Sequence, residues 1–387
     1  MAIERLRAWL QHVALSPGSQ LPAVRDLAGL LGTTRFATYE ALQQLEREGV
    51  LRLMPGRIAV IVGDARGAAG GAAGPAAVRG RVVLVSNHAS ARELDLGSWR
   101  GWQQQLLQGV RAAARSARLE LTLLPISAES LQRFDSLVLE RPAGFIFLDD
   151  VVAGEAGPRL LAGAMASGLP VAAHGDVFAV GDIGRLRADL VFADHRGGAT
   201  ALVDWLAGRG RRRLLPWMGP GQHAGEGQRG LHYFAERLAG LREAGGRHGI
   251  EVLPCAPLLA GSGPAETPAS FAEVVRLQVG SLLGVLETPH PVDAIAAVSD
   301  GLAYEAAAAV RLLGREPGRD LDIVGYDNSW SWCPQRVLAG SGLAATIEPD
   351  WAGIGSALVQ MLAARIAGVA SGAPAQRTVP AKLVIPT

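Results

Sequence analysis

Polar and charged residues follow several short apolar runs of the sequence, at the positions where buried strands would end. They are Asn87 and His88, Asp149 and Asp150, His174 and Asp176, Asp194 and His195, Asp300, Asp327 and Asn328. Carboxylates, amides and imidazoles hydrogen-bond to hydroxyl groups, so several of them in one place would bind a polar small molecule. Each residue can also cap the helix that follows its strand, and the sequence alone leaves both roles open.

Motifs for the common catalytic chemistries are missing from the sequence. The glycine-rich stretch 219–230 has no GxxxxGK[ST] phosphate loop, and no GxSxG, HExxH or metal-spaced histidine cluster occurs. The single lysine, Lys382, lies close to the C-terminal end in the strand-like stretch AKLVIP, which argues against a Schiff-base lysine of the pyridoxal type. We therefore predict no cofactor, no metal and no catalytic residue.

Composition limits the classes of protein further. The 387 residues include 37 basic and 36 acidic ones, so any DNA-reading part must be small and local. Cys255 and Cys333 are far apart and outside CxxC spacing, which argues against a disulfide scaffold or a zinc site and suits a reducing compartment. We find no signal peptide and no run of about 18 apolar residues, so we expect a cytoplasmic protein without a membrane span.

The stretch DARGAAGGAAGPAAVRG, residues 64–80, consists almost wholly of Gly, Ala and Pro and predicts a flexible linker. It divides the chain into a first domain, residues 1–63, and a second, residues 81–387. In the second domain, short apolar runs such as VVLVS and GFIFLD alternate with helical stretches. This alternation predicts an α/β fold with parallel sheets in two lobes, and ligands of such sheets bind beyond the carboxyl ends of the strands.

The first domain is predicted to be a winged helix-turn-helix. AVRDLAGLL has its apolar residues on one face and ends at Gly32, and Thr33 or Thr34 can cap a second helix over residues 35–48. In that helix Tyr39, Leu42 and Leu45 have core spacing. VLRLM and RIAVIV, on either side of a Pro-Gly turn, predict the two short strands of a wing.

The stretch 15–52, which contains SPGSQLPAVRDLAGLLGTTRFATYEALQQLEREGVLR, resembles the DNA-binding domain of the GntR regulator family. The resemblance implies that the second helix enters the major groove, with the wing beside it. It assigns the DNA contacts to Arg25, Thr33, Thr34, Arg35, Thr38, Tyr39 and Arg57. Tyr39 stands where that family commonly has arginine, and GRIA where its wing commonly has Gly-x-Gly-Thr.

The charge of the first domain is low, because its 63 residues hold seven arginines and five acidic residues. Affinity for DNA rests mainly on phosphate neutralisation. One copy is therefore expected to bind double-stranded DNA weakly, and a homodimer is expected to read a two-fold related site.

Five stretches of the second domain resemble the LacI/GalR family, in the order of that family. They are VFADHRGGATALVDWLAGRGRRRLLPWMGP, ERLAGLREA, DAIAAVSDGLAYEAAAAV, LDIVGYDNS and ATIEPDWAGIGSALVQMLAARIAG. The resemblance implies a two-lobed, periplasmic-binding-protein-like fold of type I with a sugar or a similar metabolite in its cleft. The loop 219–234 and the stretch SWSWCP depart from that pattern.

The resemblance also assigns ligand contacts. Arg237 is expected to fork to ligand hydroxyls, Asp300 to accept hydrogen bonds from two of them, and Trp351 to stack on a sugar ring. The predicted effector-binding residues are Asn87, Trp102, His174, Asp176, Arg237, Asp300, Asn328 and Trp351. Four alternatives stay open: a surface arginine for Arg237, a helix cap for Asp300, a core or interface role for Trp102, and loop roles for His174 and His195.

The arginine run 209–213 is interpreted as a solvated turn, with a second DNA-binding patch as its alternative. The combined expectation is a homodimeric transcriptional repressor controlled by a small sugar-like effector, similar in architecture to bacterial arabinose repressors. The effector is expected to close the two lobes and so change the spacing of the paired winged helices. The alternative is a sugar-processing α/β enzyme that carries an appended winged helix.

Overall fold

The computed structural model of the protein describes most of the chain. The described residues are 2–13, 21–47, 51–54, 58–61, 80–86, 101–148, 152, 154–218, 231–257, 267–331, 333–340 and 342–386. The chain divides into two compact units, 1–76 and 77–387. The predicted linker lies outside the described residues, apart from Gly80, so its boundaries remain predictions.

The first unit contains three helices and a two-stranded ribbon in its described residues. The helices are α1 (Ala2–Val13), α2 (Val24–Leu31) and α3 (Arg35–Arg47), and the strands are β1 (Leu51–Met54) and β2 (Ile58–Ile61). The two strands pair antiparallel, from Leu51 with Ile61 to Met54 with Ile58. Helix α2 ends at Gly32, whose φ of 59° is the left-handed conformation that glycine adopts without strain. These elements form the predicted winged helix-turn-helix.

The second unit begins with a parallel sheet. In chain order its first elements are β3 (Gly80–Ser86), α4 (Trp102–Ala117), β4 (Leu119–Pro125), α5 (Ala128–Leu139), β5 (Gly144–Phe147), α6 (Ala156–Ala166), β6 (Val171–His174), a 3₁₀ turn (Gly175–Val177), α7 (Val180–Ile183) and β7 (Asp189–Ala193). Alternate residues of β3 pack on opposite faces: Val82 and Leu84 lie in the core with α4, whereas Val83 and Val85 pack with α5 and α6. Burial on both faces explains why these strands read as continuous apolar runs.

The second lobe repeats this plan. Its elements are α8 (His195–Gly208), β8 (Arg213–Met218), α9 (His232–His248), β9 (Glu251–Val252), β10 (Ala256–Pro257), α10 (Pro268–Leu286), β11 (Ala294–Ala297), α11 (Asp300–Leu312), β12 (Asp322–Tyr326), α12 (Pro334–Ala339) and β13 (Ala345–Pro349). Leu215 and Ile295 pack towards α10 and α11, and Leu214 and Val324 pack towards α8 and α9. Both lobes are therefore helix–sheet–helix sandwiches, as the sequence predicts.

The last elements return to both lobes. They are α13 (Trp351–Ile366), β14 (Gln376–Val379) and β15 (Ala381–Val384). Strand β14 is at the edge of the first sheet, in the order β14-β7-β6-β5-β3-β4. Strand β15 pairs antiparallel with β13 at the edge of the second sheet, in the order β10-β8-β11-β12-β13-β15, with β9 beside β8. The chain therefore crosses between the lobes three times.

Two of the crossovers share one local design. Asp194 caps α8 by accepting a hydrogen bond from the Gly197 amide at 2.8 Å, and Asp350 caps α13 through the Gly353 amide at the same distance. A side chain at either glycine would collide with the carboxylate that caps the helix. Both chain reversals therefore need the Asp-x-x-Gly spacing, and they fix the residue between the lobes, His195 or Trp351, at a defined place.

Helix α10 is long and apolar enough to span a membrane by length and composition, with a mean hydropathy of 1.4. This finding does not contradict the expectation of no membrane span, which stays a prediction. It carries Glu273 and Arg276, and it buries Val275 and Leu282 in the core of the second lobe. One face of the helix thus packs in the core, while Leu277 and Leu283 are exposed.

Candidate functional site

A cavity of about 410 Å³ lies between the two lobes, beyond the carboxyl ends of their strands. A volume of this size suits a small ligand. Five strands deliver a lining residue just after they end: Asp176, His195, Val298, Asp327 and Trp351. The other lining residues are Trp102, Val152, His174, Val177, Leu231, Tyr233, Arg237, Ser299, Gly301, Leu302, Glu305 and Gln335.

Aromatic rings from the first lobe form one wall of the cavity. Trp102 begins α4 and Trp351 begins α13, and their ring centroids are 4.8 Å apart. The two helices approach closely because Gly109 packs on the backbone of Ala352. The edge of His174 meets Trp351, with the ring centroids 5.8 Å apart. The two indole rings are tilted by 36° to each other and give this wall apolar faces, on which the C–H face of a sugar ring can stack.

Asp176 connects histidines from both lobes. Its carboxylate is buried and accepts hydrogen bonds from the Ala193 amide at 2.9 Å, from His174 Nε2 at 3.1 Å and from His232 Nδ1 at 3.2 Å. His195 Nε2 lies 2.9 Å from it. Burial raises the pKa of Asp176, but the hydrogen bonds from the histidines hold it well below its usual range. Asp176 is therefore an anion at neutral pH.

His195 is held neutral between Asp176 and Arg237. Burial lowers the pKa of His195 to about 4, which the Asp176 carboxylate only partly offsets. Arg237 Nε donates to His195 Nδ1 at 3.2 Å, and the Tyr326 hydroxyl lies 2.6 Å from the same atom. Since Nδ1 accepts a hydrogen bond, the proton of the neutral ring is on Nε2, the nitrogen 2.9 Å from the Asp176 carboxylate.

Arg237 is buried in the second lobe, with 6% of its surface exposed. Its Nη1 donates to the Val298 carbonyl at 2.9 Å, and its guanidinium lies 3.3 Å from the ring centroid of Tyr326 and 5.0 Å from that of Tyr233. The hydrogen bonds and the two tyrosine rings hold the Arg237 guanidinium in one orientation. The alternative of a surface arginine is therefore excluded.

Two carboxylates of the second lobe line the cavity. Asp327 lines it and has a φ of 87°, a backbone conformation that non-glycine residues seldom adopt. Burial raises the pKa of Asp327 to about 6, although the Arg237 guanidinium lowers it. Glu305 also lines the cavity, and its carboxylate accepts a hydrogen bond from Gln278 at 2.9 Å.

Asp300 does not have the predicted place in the cavity lining. It is fully buried, and its carboxylate accepts a hydrogen bond from the Ser329 amide in the loop after β12. Burial raises the pKa of Asp300 to about 7. The cap of α11 is Ser299, whose hydroxyl accepts from the Leu302 amide at 3.3 Å, so the alternative role of Asp300 as that cap is also wrong.

Of the eight predicted effector-binding residues, the structure brings five together around the cavity: Trp102, His174, Asp176, Arg237 and Trp351. Asn328 is not among the lining residues, and its backbone amide donates to Thr346 at 3.2 Å. Asn87 lies outside the described residues.

The predicted effector-binding residues omit several that line the cavity, among them His195, Tyr233, Asp327, Glu305 and Gln335. His195 and Asp327 stand at strand ends that the sequence marks as polar, so the position carried a signal. Glu305 lies one helical turn after Gly301 on α11, and helical spacing from the strand end could have found it.

The predicted DNA-contacting residues of the first unit fall into two groups. Arg25, Thr34 and Arg35 are exposed, and Thr33 and Tyr39 are half-buried. The Thr34 hydroxyl accepts from the Ala37 amide at 3.2 Å and so caps α3. The predicted contact Arg57 lies outside the described residues.

Thr38 differs from the expectation of a DNA contact, because it is fully buried. Its hydroxyl donates to the Thr34 carbonyl at 2.9 Å and lies 2.7 Å from the Thr33 hydroxyl. It stabilises the beginning of α3 from inside the domain.

Two family models match the chain. Residues 1–61 match the gntR family of bacterial regulatory proteins, and residues 203–385 match the periplasmic binding protein-like domain. No curated protein matches the chain.

Solved structures with the same fold are numerous. The transcriptional regulator CelR in complex with cellobiose is 19% identical, with a TM-score of 0.55 over 94% of this chain and 99% of that one. A regulatory protein of the LacI family from Chloroflexus aggregans is 18% identical, with a TM-score of 0.57 over 79% and 96% of the two chains. A putative ribose operon repressor from Burkholderia thailandensis is 19% identical, with a TM-score of 0.54 over 80% and 100%. The chain thus joins a gntR-family regulatory domain to a periplasmic binding protein-like domain, the composition of a ligand-responsive transcriptional regulator.

Proposed function

We propose that the protein is a cytoplasmic transcriptional repressor that binds operator DNA as a homodimer and responds to a small sugar. The observation that carries the choice of a sugar is the cavity, with two neighbouring tryptophan rings on one side and fixed hydrogen-bonding groups on the other. A sugar ring has an apolar C–H face and a polar rim, and each of these surfaces matches one side of the cavity.

The proposed contacts follow from what each lining side chain has to offer. Trp351 and Trp102 stack on the ring. Asp327 accepts hydrogen bonds from hydroxyls, and Arg237 donates to them. His174 and Asp176 border the same space from the first lobe. Among proteins of the same fold, one structure is a cellobiose complex and another is a glucose-galactose binding protein from Geobacillus stearothermophilus, 18% identical, which supports a sugar as the class of ligand.

The DNA contacts are proposed for the exposed residues at the beginning of α3 and for Arg25 on α2. Arg35 and Thr34 lie on the exposed first turn of α3, where a recognition helix meets base edges and phosphates. Two copies are required, because a single unit with few basic residues neutralises few phosphates.

The regulatory step is proposed to be closure of the lobes. A ligand that contacts both lobes binds the closed form better than the open one. This difference in binding free energy sets the limit on how far the ligand can shift the DNA-binding units. A coupling of about 1–3 kcal/mol between effector and DNA is typical of such regulators. Effector binding is proposed to relieve repression.

A thermal-shift screen of the full chain tests the effector, using pentoses, hexoses, sugar acids and disaccharides. We expect at least one sugar to raise the unfolding midpoint, and Asp327→Asn to abolish that rise. Asp320→Asn is the matched control, because Asp320 pairs with Arg319 away from the cavity. If no sugar raises the unfolding midpoint, the proposal of a sugar effector is wrong. If Asp327→Asn shows the same rise as the wild type, Asp327 is not part of the binding site.

The enzyme alternative makes a different prediction. We propose a binding protein without turnover, so NMR spectra of a stabilising sugar should be unchanged after long incubation with the protein. Conversion of that sugar, lost in the Asp327→Asn variant, would favour the sugar-processing enzyme.

A further inference from the structure

Phe36 is an exposed aromatic residue on the first turn of α3. In the first unit it is 72% exposed, while the neighbouring apolar side chains Leu27, Leu42 and Leu45 are almost completely buried. A phenylalanine on the surface loses the burial that usually stabilises a domain of this size. The ring is therefore available to a partner outside this unit.

The geometry of α3 gives Phe36 a fixed direction. Thr38, Leu42 and Leu45 mark the buried face of the helix. Phe36 and Glu40 are four residues apart on the exposed face, one turn from each other. The cap formed by Thr34 and the buried hydroxyl of Thr38 hold the first turn in place. Phe36 is thus presented from a rigid turn and not from a mobile loop.

We propose that Phe36 reads the 5-methyl group of a thymine in the major groove of the operator. This inference rests on the proposed DNA-binding role of α3. The N-terminal residues of a recognition helix lie against base edges, and Phe36 follows Arg35 directly in that turn. The thymine methyl is the only apolar group that the four bases present in the major groove, and phenylalanine is among the side chains that contact it.

Phe36 would contact a different chemical group of the DNA from its neighbours in the sequence. Arg35 can bind phosphate or a guanine edge, and Thr34 can bind phosphate through its hydroxyl. These contacts through a charge or a hydroxyl give no preference for thymine over uracil. A preference that depends on the methyl group alone requires an apolar contact, and Phe36 is the large apolar side chain that is exposed among the described residues of α3. One contact is expected in each half-site of the dimer.

Replacement of thymine by uracil tests the contact directly. The preferred duplex is first selected from random sequences with the full chain, and each thymine in a half-site is then replaced by deoxyuridine. Dissociation constants are measured by fluorescence anisotropy. We expect one replacement per half-site to weaken binding about fourfold, the factor that corresponds to the burial of one methyl group. Phe36→Ala should bind the thymine and uracil duplexes equally.

Leu30→Ala is the matched control, because Leu30 is an apolar residue of α2 with 62% exposure. This variant should retain the discrimination against uracil, and unfolding midpoints of both variants should stay at the wild-type value. If no duplex is selected, the proposed DNA-binding function fails and the inference fails with it. If a duplex is selected but uracil is tolerated at every position, or if Phe36→Ala still discriminates, the inference alone is overturned. A Phe36→Ala effect confined to the oligomeric state would also overturn it.

Discussion

Arg35 and Arg237 are the same type of residue in opposite surroundings. Arg35 lies on the exposed first turn of α3 in the first unit. Arg237 is buried in the second unit, where His195, the Val298 carbonyl and two tyrosine rings surround its guanidinium. One arginine is kept available for a partner, and the other already has partners within the fold.

This difference separates the two functions energetically. An exposed cation stays hydrated and adds little to stability, so the DNA-binding surface can change without harm to its domain. A buried cation needs its partners, because an uncompensated charge in the interior is costly. In the cleft, the residues that would bind the effector therefore also stabilise the fold, and a substitution there is expected to change both properties.

Substitution of Asp176 is expected to have the largest effect on stability. Asp176→Ala removes the carboxylate that joins His174, His195 and His232, and leaves their N–H groups without a buried acceptor. We expect the free energy of unfolding of the second unit to fall by about 3–5 kcal/mol, as measured by denaturant titration.

Glu129→Ala is the control for Asp176→Ala. Glu129 pairs with Arg133 on the surface of α5, where both side chains are about four-fifths exposed. Its removal should change the free energy by less than about 0.5 kcal/mol. Equal effects of the two substitutions would show that burial does not distinguish these carboxylates.

The second effect is a loss of stability in acid that depends on His195. Its pKa in the folded protein is about 4, below the ordinary 6.5. The unfolded chain therefore takes up this proton first, so the stabilisation is complete above pH 6.5 and is lost as the pH falls towards 4. The difference corresponds to about 3 kcal/mol. The depressed pKa of Asp176 acts in the same direction, at still lower pH.

The carboxylates of Asp300 and Asp327 act in the opposite direction. Their pKa values are raised to about 7 and about 6, so they favour the folded state as the pH falls below those values. The contribution of His195 is therefore measured as a difference between wild type and His195→Gln at pH 7.5 and pH 5. We expect the variant to lose less stability than the wild type between these two values, and a larger loss would contradict the neutral state of His195.

Arg237→Met is expected to have an intermediate effect on stability and a complete effect on the effector response. It removes hydrogen bonds to His195 and Val298, and charged hydrogen bonds of this kind contribute about 2 kcal/mol. Arg237→Lys keeps the charge but loses the planar guanidinium between the two tyrosine rings. This variant should therefore be more stable than Arg237→Met, yet show no thermal shift with the sugar. The thermal shift with a stabilising sugar measures the response, and a normal shift in either variant would exclude Arg237 from the site.

The smallest effect on stability is expected for Arg35→Ala. Its exposed side chain can be removed at a cost below about 0.5 kcal/mol. Binding to the protein's own upstream DNA should fall strongly, and the dependence of the remaining affinity on salt should become less steep. Effector-induced thermal shifts should be unchanged. A large loss of stability in Arg35→Ala would show that Arg35, like Arg237, stabilises its domain.

Much of the architecture could be predicted from local pattern. Continuous apolar strands predict the two parallel sheets, and polar residues at strand ends predict a cleft, because both signals depend on neighbours in sequence. Thr38 shows how an error in the assigned face of a helix leads to a wrong prediction. Sequence reasoning assigned it to the DNA surface, yet it lies on the same buried stripe as Leu42 and Leu45.

Contacts between distant segments could not be predicted in this way. The histidines around Asp176 come from separate strands and helices, and no local spacing joins them. Arg209 and Arg211 are similar: interpreted as a solvated turn, both bind the buried carboxylate of Asp322, more than 100 residues away, at 2.7 Å. Asp300 shows that a shift of one residue decides the role, since Ser299 caps the helix and Asp300 turns inward.

The two short strands β14 and β15 have a consequence for engineering. They follow each other across Pro380, yet each pairs with a different sheet. To produce the lobes as separate proteins, the chain would have to be cut at three places and rejoined. Deletion of residues 376–384 would strip an edge strand from both sheets at once. The second unit is therefore expected to melt in a single transition, and split reporters or inserted domains belong in surface loops away from this segment.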